Sequence, residues 1–163
     1  MAIDMTSILG SGYPLANSIT KVPYFIENSV SLAAAITEKG SALAQSDVIE
    51  VLDIPANSVI LAAGFEVTTA MTGTSTDATL DMGVTGGDVD NFVDGFDLDA
   101  ASAGDYAAQP AAFSPVVVGG TADTIDLLIV TQTGTITGGV LRCWALVVDI
   151  DARNAPGIAA LGS

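Results

Sequence analysis

Apolar and β-branched residues are concentrated in short runs along this chain, and residues 47–54 alternate with polar positions in the period of two that a half-buried β-strand shows. Gly, Pro, Asn and Ser turns separate the runs at intervals of roughly 8 to 15 residues, which is typical of a sandwich or barrel. About eight or nine strands are predicted in this way. The runs that carry the prediction are residues 22–27, 47–54, 59–70, 78–84, 125–130, 135–137 and 140–150.

Residues 140–150 are the strongest predicted strand. One face carries Val140, Trp144, Leu146, Val148 and Ile150, and the other carries Leu141, Cys143, Ala145 and Val147. Both faces are apolar, so we expect this strand to be buried on both sides or to be covered by a partner on one of them.

Three other runs allow more specific predictions about local structure. Residues 30–37 (VSLAAAIT) contain three alanines that permit a helix, but their β-branched ends favour a strand. Within residues 47–54, strict alternation predicts one face that consists of Val48, Glu50 and Leu52. Within residues 59–70, Gly64 is predicted to mark a bulge or bend.

These runs predict an all-β protein, an antiparallel β-sandwich with a jelly-roll-like arrangement. A chain of 163 residues fits one domain, and a domain of this size buries roughly 70% of its unfolded surface. We assign residues 22–151 to the sandwich, residues 1–21 to an N-terminal arm and residues 152–163 to a C-terminal tail.

The arm combines apolar residues with chain breakers. Gly10, Gly12 and Pro14 interrupt every periodic pattern in it. Two interpretations stay open, an extended arm that packs on a neighbouring subunit and a disordered tail. The apolar anchors on which the first depends are Ile3, Met5, Ile8, Leu9 and Leu15.

The charge balance excludes several partners. The chain has 4 Lys and Arg residues against 19 Asp and Glu residues, for a net charge of −15 at pH 7. So few cations cannot form the basic face that nucleic acid requires, and anionic membranes are disfavoured for the same reason. No secretory signal pattern opens the chain, and no apolar run reaches the roughly 18 residues of a membrane helix. We therefore expect a soluble protein made in the cytoplasm.

Catalytic chemistry finds little support in the sequence. The chain has no histidine, which removes Ser–His–Asp and Cys–His nucleophiles and the commonest metal ligand. Neither a P-loop nor a GxGxxG pattern is present. Carboxylates alone remain, and aromatic residues that could hold a sugar chain make up only 6%. We predict that the protein is not an enzyme, and that its single cysteine, Cys143, is a buried and inert thiol.

Residues 85–99 are the one chemically suggestive segment. Aspartates at close spacing in a loop are how a chain gathers oxygen ligands for Ca²⁺, although Phe92 stands where an EF-hand needs a polar ligand. The alternative, which we favour, is a solvated acidic loop with buried apolar residues between the aspartates. The candidate calcium ligands are Asp88, Asp90, Asp94 and Asp97, with Asp99 following them.

Several stretches resemble a family of small virion proteins of tailed bacteriophages, which have head decoration or cement roles and β-sandwich folds. They are residues 32–66, residues 78–101 (ATLDMGVTGGDVDNFVDGFDLDAA) and the late runs TADTIDLLIV and LRCWALVVDID. The resemblance brings no site residues with it. It implies a structural subunit without a cofactor.

From this resemblance we expect a capsid decoration protein that binds the assembled shell and stabilises it. Its partners would be the major capsid protein and copies of itself, in a homotrimer on the virion surface. Two alternatives stay open. One is a tail or fibre-base component, and the other is a calcium- or carbohydrate-binding β-sandwich module.

Overall fold

Nine strands and one helix make up the part of the chain that the structure describes. The computed structural model describes residues 22–84, 87–107 and 114–150. In chain order the elements are β1 (Tyr24–Ser31), α1 (Leu32–Lys39), β2 (Val48–Ile54), β3 (Ser58–Gly73), β4 (Asp77–Val84), β5 (Val93–Asp97), β6 (Tyr106–Ala107), β7 (Val116–Val118), β8 (Asp123–Thr133) and β9 (Ile136–Asp149). The predicted arm and tail lie outside the described residues.

The strands form two antiparallel sheets, which confirms the predicted β-sandwich. Sheet I has the order β1-β9-β3-β6, and β7 pairs with β3 as well. Sheet II has the order β2-β8-β4-β5. Most consecutive strands belong to different sheets, so each sheet is assembled from distant parts of the chain. The jelly-roll-like arrangement stays a prediction.

The hydrophobic core lies between the sheets. On β9 the inward side chains alternate with the outward ones, as predicted, and Leu141, Cys143, Ala145 and Val147 are all 0% exposed. Sheet II contributes large side chains that are at most 1% exposed, namely Leu80, Met82, Ile125, Leu127 and Ile129. Burial of each such side chain stabilises the fold by about 1.5 to 3 kcal/mol.

The outward face of β9 is less covered than the sequence alone predicts. Trp144, Leu146 and Val148 on this face are only half-buried, and Val117 on β7 is 66% exposed. In residues 22–84, 87–107 and 114–150, no second layer packs over this face of sheet I. Burial on both sides is therefore wrong within the described chain, and cover by a partner stays a prediction.

Helix α1 replaces most of the strand predicted at residues 30–37, so that prediction is wrong beyond Ser31. Ser31 has an extended backbone and its hydroxyl accepts a hydrogen bond from the N–H of Ala34 at 3.3 Å. Gly40 ends the helix in the left-handed region at φ 74°. The cap at each end and the alanines between them outweigh the β-branched ends.

Two predictions about strand regularity are also wrong. The pairing of β2 with β8 shifts between Glu50 and Leu52, so strict alternation in β2 ends there. In β3 the pairing shifts between Ile60 and Ala62 but not at Gly64. Gly64 pairs with Trp144 instead, and it is needed there because a Cβ would lie 2.8 Å from the carbonyl oxygen of Ala107.

Candidate functional site

The acidic segment that runs from the β4–β5 connection into β5 brings together two of the four predicted calcium ligands, Asp90 and Asp94. Carboxylate oxygens of Asp90 and Asp94 lie within 4.8 Å of one another and of an oxygen of Asp81. Asp81 belongs to β4 and is 7% exposed. Sequence reasoning missed it, although an aspartate inside the apolar run of β4 is itself a signal of a special environment.

Opposing effects act on the pKa of the Asp81 carboxyl. Its Oδ1 accepts a hydrogen bond from the backbone N–H of Gly95 at 2.6 Å, which lowers its pKa. Burial is the largest effect and raises the pKa, and repulsion from Asp94 and Asp90 raises it further. The net shift is upward, so the site disfavours the ionised carboxylate in the absence of a cation.

The loop folds back on β4 because Gly83 leaves room for it. A Cβ at position 83 would overlap the carbonyl oxygen of Asp88. That same oxygen accepts a hydrogen bond from Val84 N–H at 3.1 Å, and Phe92 N–H donates to Met82 O at 2.8 Å. Phe92 is 0% exposed and anchors the loop in the core.

Asp88 and Asp97, the other two predicted ligands, are not part of this group. Asp88 is exposed, and a hydrogen bond with Asp90 is the largest cause of its raised pKa. Oδ1 of Asp97 accepts a hydrogen bond from Ala100 N–H at 3.1 Å, which stabilises the turn after β5. Ca²⁺ takes six to eight oxygen ligands, whereas the group offers three carboxylates. The calcium assignment stays a prediction.

A second candidate site lies on the outer face of sheet I. Phe25, Glu27, Tyr106, Arg142 and Trp144 line an open cavity of about 280 Å³, which we call the aromatic groove. Sequence reasoning did not identify it, because its residues come from three strands that are distant in sequence. The available signal was Trp144 on the outward face of the predicted strand at residues 140–150.

Strand register places these side chains in neighbouring rows. Trp144 on β9 pairs with Glu27 on β1 and with Gly64 on β3. Phe25 stacks on the indole with ring centroids 5.8 Å apart and an interplanar angle of 15°. A Cβ at Gly64 would lie 3.1 Å from Cζ2 of the indole, so the glycine leaves room for the ring over β3.

The next row carries the charges of the groove. Arg142 pairs in register with Glu66 on β3, which in turn pairs with Tyr106 on β6. The Arg142 guanidinium forms an ion pair with Glu66 at 2.5 Å. Glu66 first, and Glu27 to a smaller extent, raise the pKa of Arg142. Two carboxylates therefore surround one guanidinium.

Acidic residues are distributed unequally between the two sheets. The strands of sheet I carry Glu27, Glu66 and Asp149 together with Arg142. The strands of sheet II carry Glu50, Asp53, Asp77, Asp81, Asp94, Asp97, Asp123 and Asp126. The strands of sheet I therefore carry fewer carboxylates than those of sheet II, in which Asp81 and Asp126 are buried. Within the described ranges, no helix is long and apolar enough to span a bilayer.

The whole fold resembles chains of bacteriophage capsids. A chain in the capsid asymmetric unit of cyanophage Pam1 superposes with a TM-score of 0.59 at 14% identity, over 91% of this chain and 92% of that chain. The structural neighbours of this protein are therefore phage capsid chains. A chain in the capsid of Ralstonia phage GP4 gives a TM-score of 0.58 at 17% identity, over 80% of this chain and 86% of that one. No protein-family profile and no curated protein matches the sequence. At these identities the likeness shows the fold.

Proposed function

We propose that this chain is a structural virion protein that decorates a bacteriophage capsid and stabilises it by binding the assembled shell. The observation that carries the proposal is the likeness of fold to a chain of the Pam1 capsid, which extends over nearly the whole of both chains. The sequence resemblance to head decoration proteins points to the same role. A chain without histidine or a nucleotide-binding motif also suits a structural part better than an enzyme.

The mechanism is linkage between binding and assembly. A protein that binds the assembled lattice and not its separated subunits stabilises the lattice by RT ln(1 + [L]/Kd), about 2.7 kcal/mol when its concentration is 100 times Kd. The proposed partners are the major capsid protein and two further copies of this chain, in a homotrimer on the virion surface. Synthesis in the host cytoplasm would precede attachment.

Quantitative mass spectrometry of purified virions tests the location. We expect on the order of hundreds of copies per virion, because a closed shell repeats its binding positions by symmetry. The major capsid protein in the same sample is the internal reference. A count in the tens or fewer would favour the alternative of a tail or fibre-base component.

Reconstitution tests the stabilising role. Heads that lack this chain are melted with and without added purified protein, and we expect a higher melting temperature with it. Heads that already carry the protein are the control, and added protein should leave their melting unchanged. Equal melting of deficient heads with and without the protein would overturn the proposal.

The second candidate function is a calcium-binding module. It is favoured by one observation, the convergence of Asp81, Asp90 and Asp94. Calcium-dependent melting distinguishes it from the solvated loop.

A further inference from the structure

The proposed function leaves open which surface meets the shell and by what chemistry. We propose that the aromatic groove on sheet I is the docking site for a Lys or Arg side chain that a different, basic protein surface presents. The identification of that protein with the capsid shell rests on the proposed function. The preference of the groove for a cation rests on the groove alone.

The composition of the groove is that of an interface centre. Phe25 is 58% exposed and Tyr106 is 60% exposed, and the only tryptophan of the chain, Trp144, lies half-buried beside them. Trp, Tyr and Arg are the residues most enriched at the energetic centres of protein interfaces. Such side chains give the face large apolar contact areas with few rotatable bonds.

The charges of the groove select the sign of its partner. Arg142 is held by Glu66, and Glu27 adds a second carboxylate in the row of Trp144. A Lys or Arg side chain placed against the aromatic rings gains a cation–π interaction there and an ionic contact with Glu27. The net charge of −15 also attracts a basic surface over longer distances. An anionic ligand would be repelled by the same charges.

A second copy of this chain is a poor source of that cation. In the part of the chain that the structure describes, Lys39 forms an ion pair with Asp47 and Arg142 forms one with Glu66. Two copies that approach each other also carry −15 each. Like net charges slow their encounter and weaken contacts that bury carboxylates. A partner of opposite charge fits this face better.

Trp144 makes the cation preference directly measurable, because it is the only tryptophan and its emission reports on the groove. The probe is a blocked pentapeptide of alternating Gly and Arg, titrated into the full-length protein. The matched peptides have citrulline or Glu in place of Arg. We expect the Arg peptide to change the emission at millimolar concentration and its affinity to fall with added salt.

Variants connect that response to the groove. Glu27→Gln keeps the shape and should weaken binding of the Arg peptide by about 3- to 10-fold. The double variant Phe25→Ser/Tyr106→Ser removes exposed rings and should abolish the response. Val48→Ser, at a side chain that is 53% exposed on β2 of sheet II, is the control and should bind as the wild type does. Three results would overturn the cation preference. They are equal emission changes with the Arg and citrulline peptides, an emission change with maltotriose but not with the Arg peptide, and no emission change with any of these ligands.

Binding to heads that lack the chain completes the test and separates the two proposals. We expect Phe25→Ser/Tyr106→Ser to bind these heads at least about 10-fold more weakly than the wild type, as loss of an interface hot spot does, while Val48→Ser binds normally. If the wild type fails to bind heads, the proposed function is wrong whatever the peptides do. If the wild type and the double variant bind equally, the shell docks elsewhere and the further inference is wrong. Retained folding of every variant is checked by its thermal melting transition.

Discussion

Asp81 carries a charge that opposes folding. Its raised pKa means that the folded state holds the proton more tightly than the unfolded state. The stability that it contributes is therefore fully present below the ordinary value of 3.8 and is lost as the pH rises through the folded-state pKa. The ionised form of the carboxyl is repelled by Asp94 and Asp90.

Replacement of Asp81 by Asn should therefore stabilise the protein at pH 7 in the presence of a chelator. The amide oxygen can still accept the hydrogen bond from Gly95, and its NH₂ group can donate to the neighbouring carboxylates. We expect a gain on the order of 1 kcal/mol, or about 2 to 4 °C in melting temperature. The gain should shrink as the pH falls towards 4. Asp53→Asn, at an exposed position on β2, is the control.

The wild type and Asp81→Asn together also test whether the loop binds calcium. If the loop is merely solvated, as we expect, millimolar calcium leaves both melting temperatures unchanged. A wild-type melting temperature that rises with calcium, combined with no rise in Asp81→Asn, would instead identify a metal site. Asp88→Asn and Asp90→Asn together should then lose the response as well.

Burial alone controls the pKa, and so the reactivity, of the Cys143 thiol. It is 0% exposed beneath sheet I, and burial raises the pKa of its thiol to about 12. Because the thiolate is the reactive form, we expect a thiol reagent at pH 8 to label the native protein only at the rate at which the core opens. The unfolded protein in denaturant, which exposes the same thiol, should react at once. Fast labelling under native conditions would contradict the buried position.

At the scale of elements, the β4–β5 connection depends on a glycine. Gly83→Ala would force its methyl group into the carbonyl oxygen of Asp88 and displace the loop. We expect a loss of about 2 to 4 kcal/mol of unfolding free energy, as strained core positions show, measured by urea denaturation. Gly87→Ala is the matched control, because a Cβ there would meet nothing closer than 3.5 Å. Similar losses in both variants would show that the close approach at Gly83 is not limiting.

The sequence predicts the long elements well and the short ones poorly. Apolar and β-branched runs bounded by turn residues identified β3, β4, β8 and β9, because such runs are typical of strands that are largely buried. In β6, which has two residues, and β7, which has three, there is too little pattern to read. The bulge in β2 depends on its pairing with β8, which local sequence does not encode.

The same limit applies to the candidate sites. Close spacing in the chain identified Asp90 and Asp94, but Asp81 joins them only because β4 and β5 are neighbours in sheet II. The aromatic groove depends wholly on the strand order of sheet I, which brings β1, β9 and β6 onto one surface. Sites assembled from distant strands therefore need the topology before they can be recognised.

For the whole molecule, the unequal sheets bear on the attachment to a shell that we propose. Sheet II carries most of the strand carboxylates, and a surface of that kind stays solvated and discourages association. The outer face of sheet I carries the exposed apolar and aromatic side chains, among them Phe25 and Val117. A subunit built in this way would dock through sheet I and present sheet II to solvent.

The role of the N-terminal arm is a prediction at this same scale. Residues 1–21 lie outside the described residues, and they lead directly into β1 at the edge of sheet I. Burial of Ile3, Ile8, Leu9 and Leu15 on a neighbour would contribute roughly 6 to 10 kcal/mol. Fixing the backbone costs about 1 to 2 kcal/mol per residue and offsets much or all of that gain. The arm should therefore become ordered only on assembly, where hydrogen bonds to the neighbour add to the contacts.

Deletion of residues 2–20 tests this expectation. Chain-breaking Gly and Pro residues make this segment poor material for a domain core, so the truncated protein should fold and melt nearly as the full chain does. Its attachment to heads, or its self-association measured by light scattering, should weaken because the apolar anchors are gone. A truncated protein that fails to fold would show that the segment belongs to the domain core. One that binds heads and associates as tightly as the full chain would show that the arm has no fastening role.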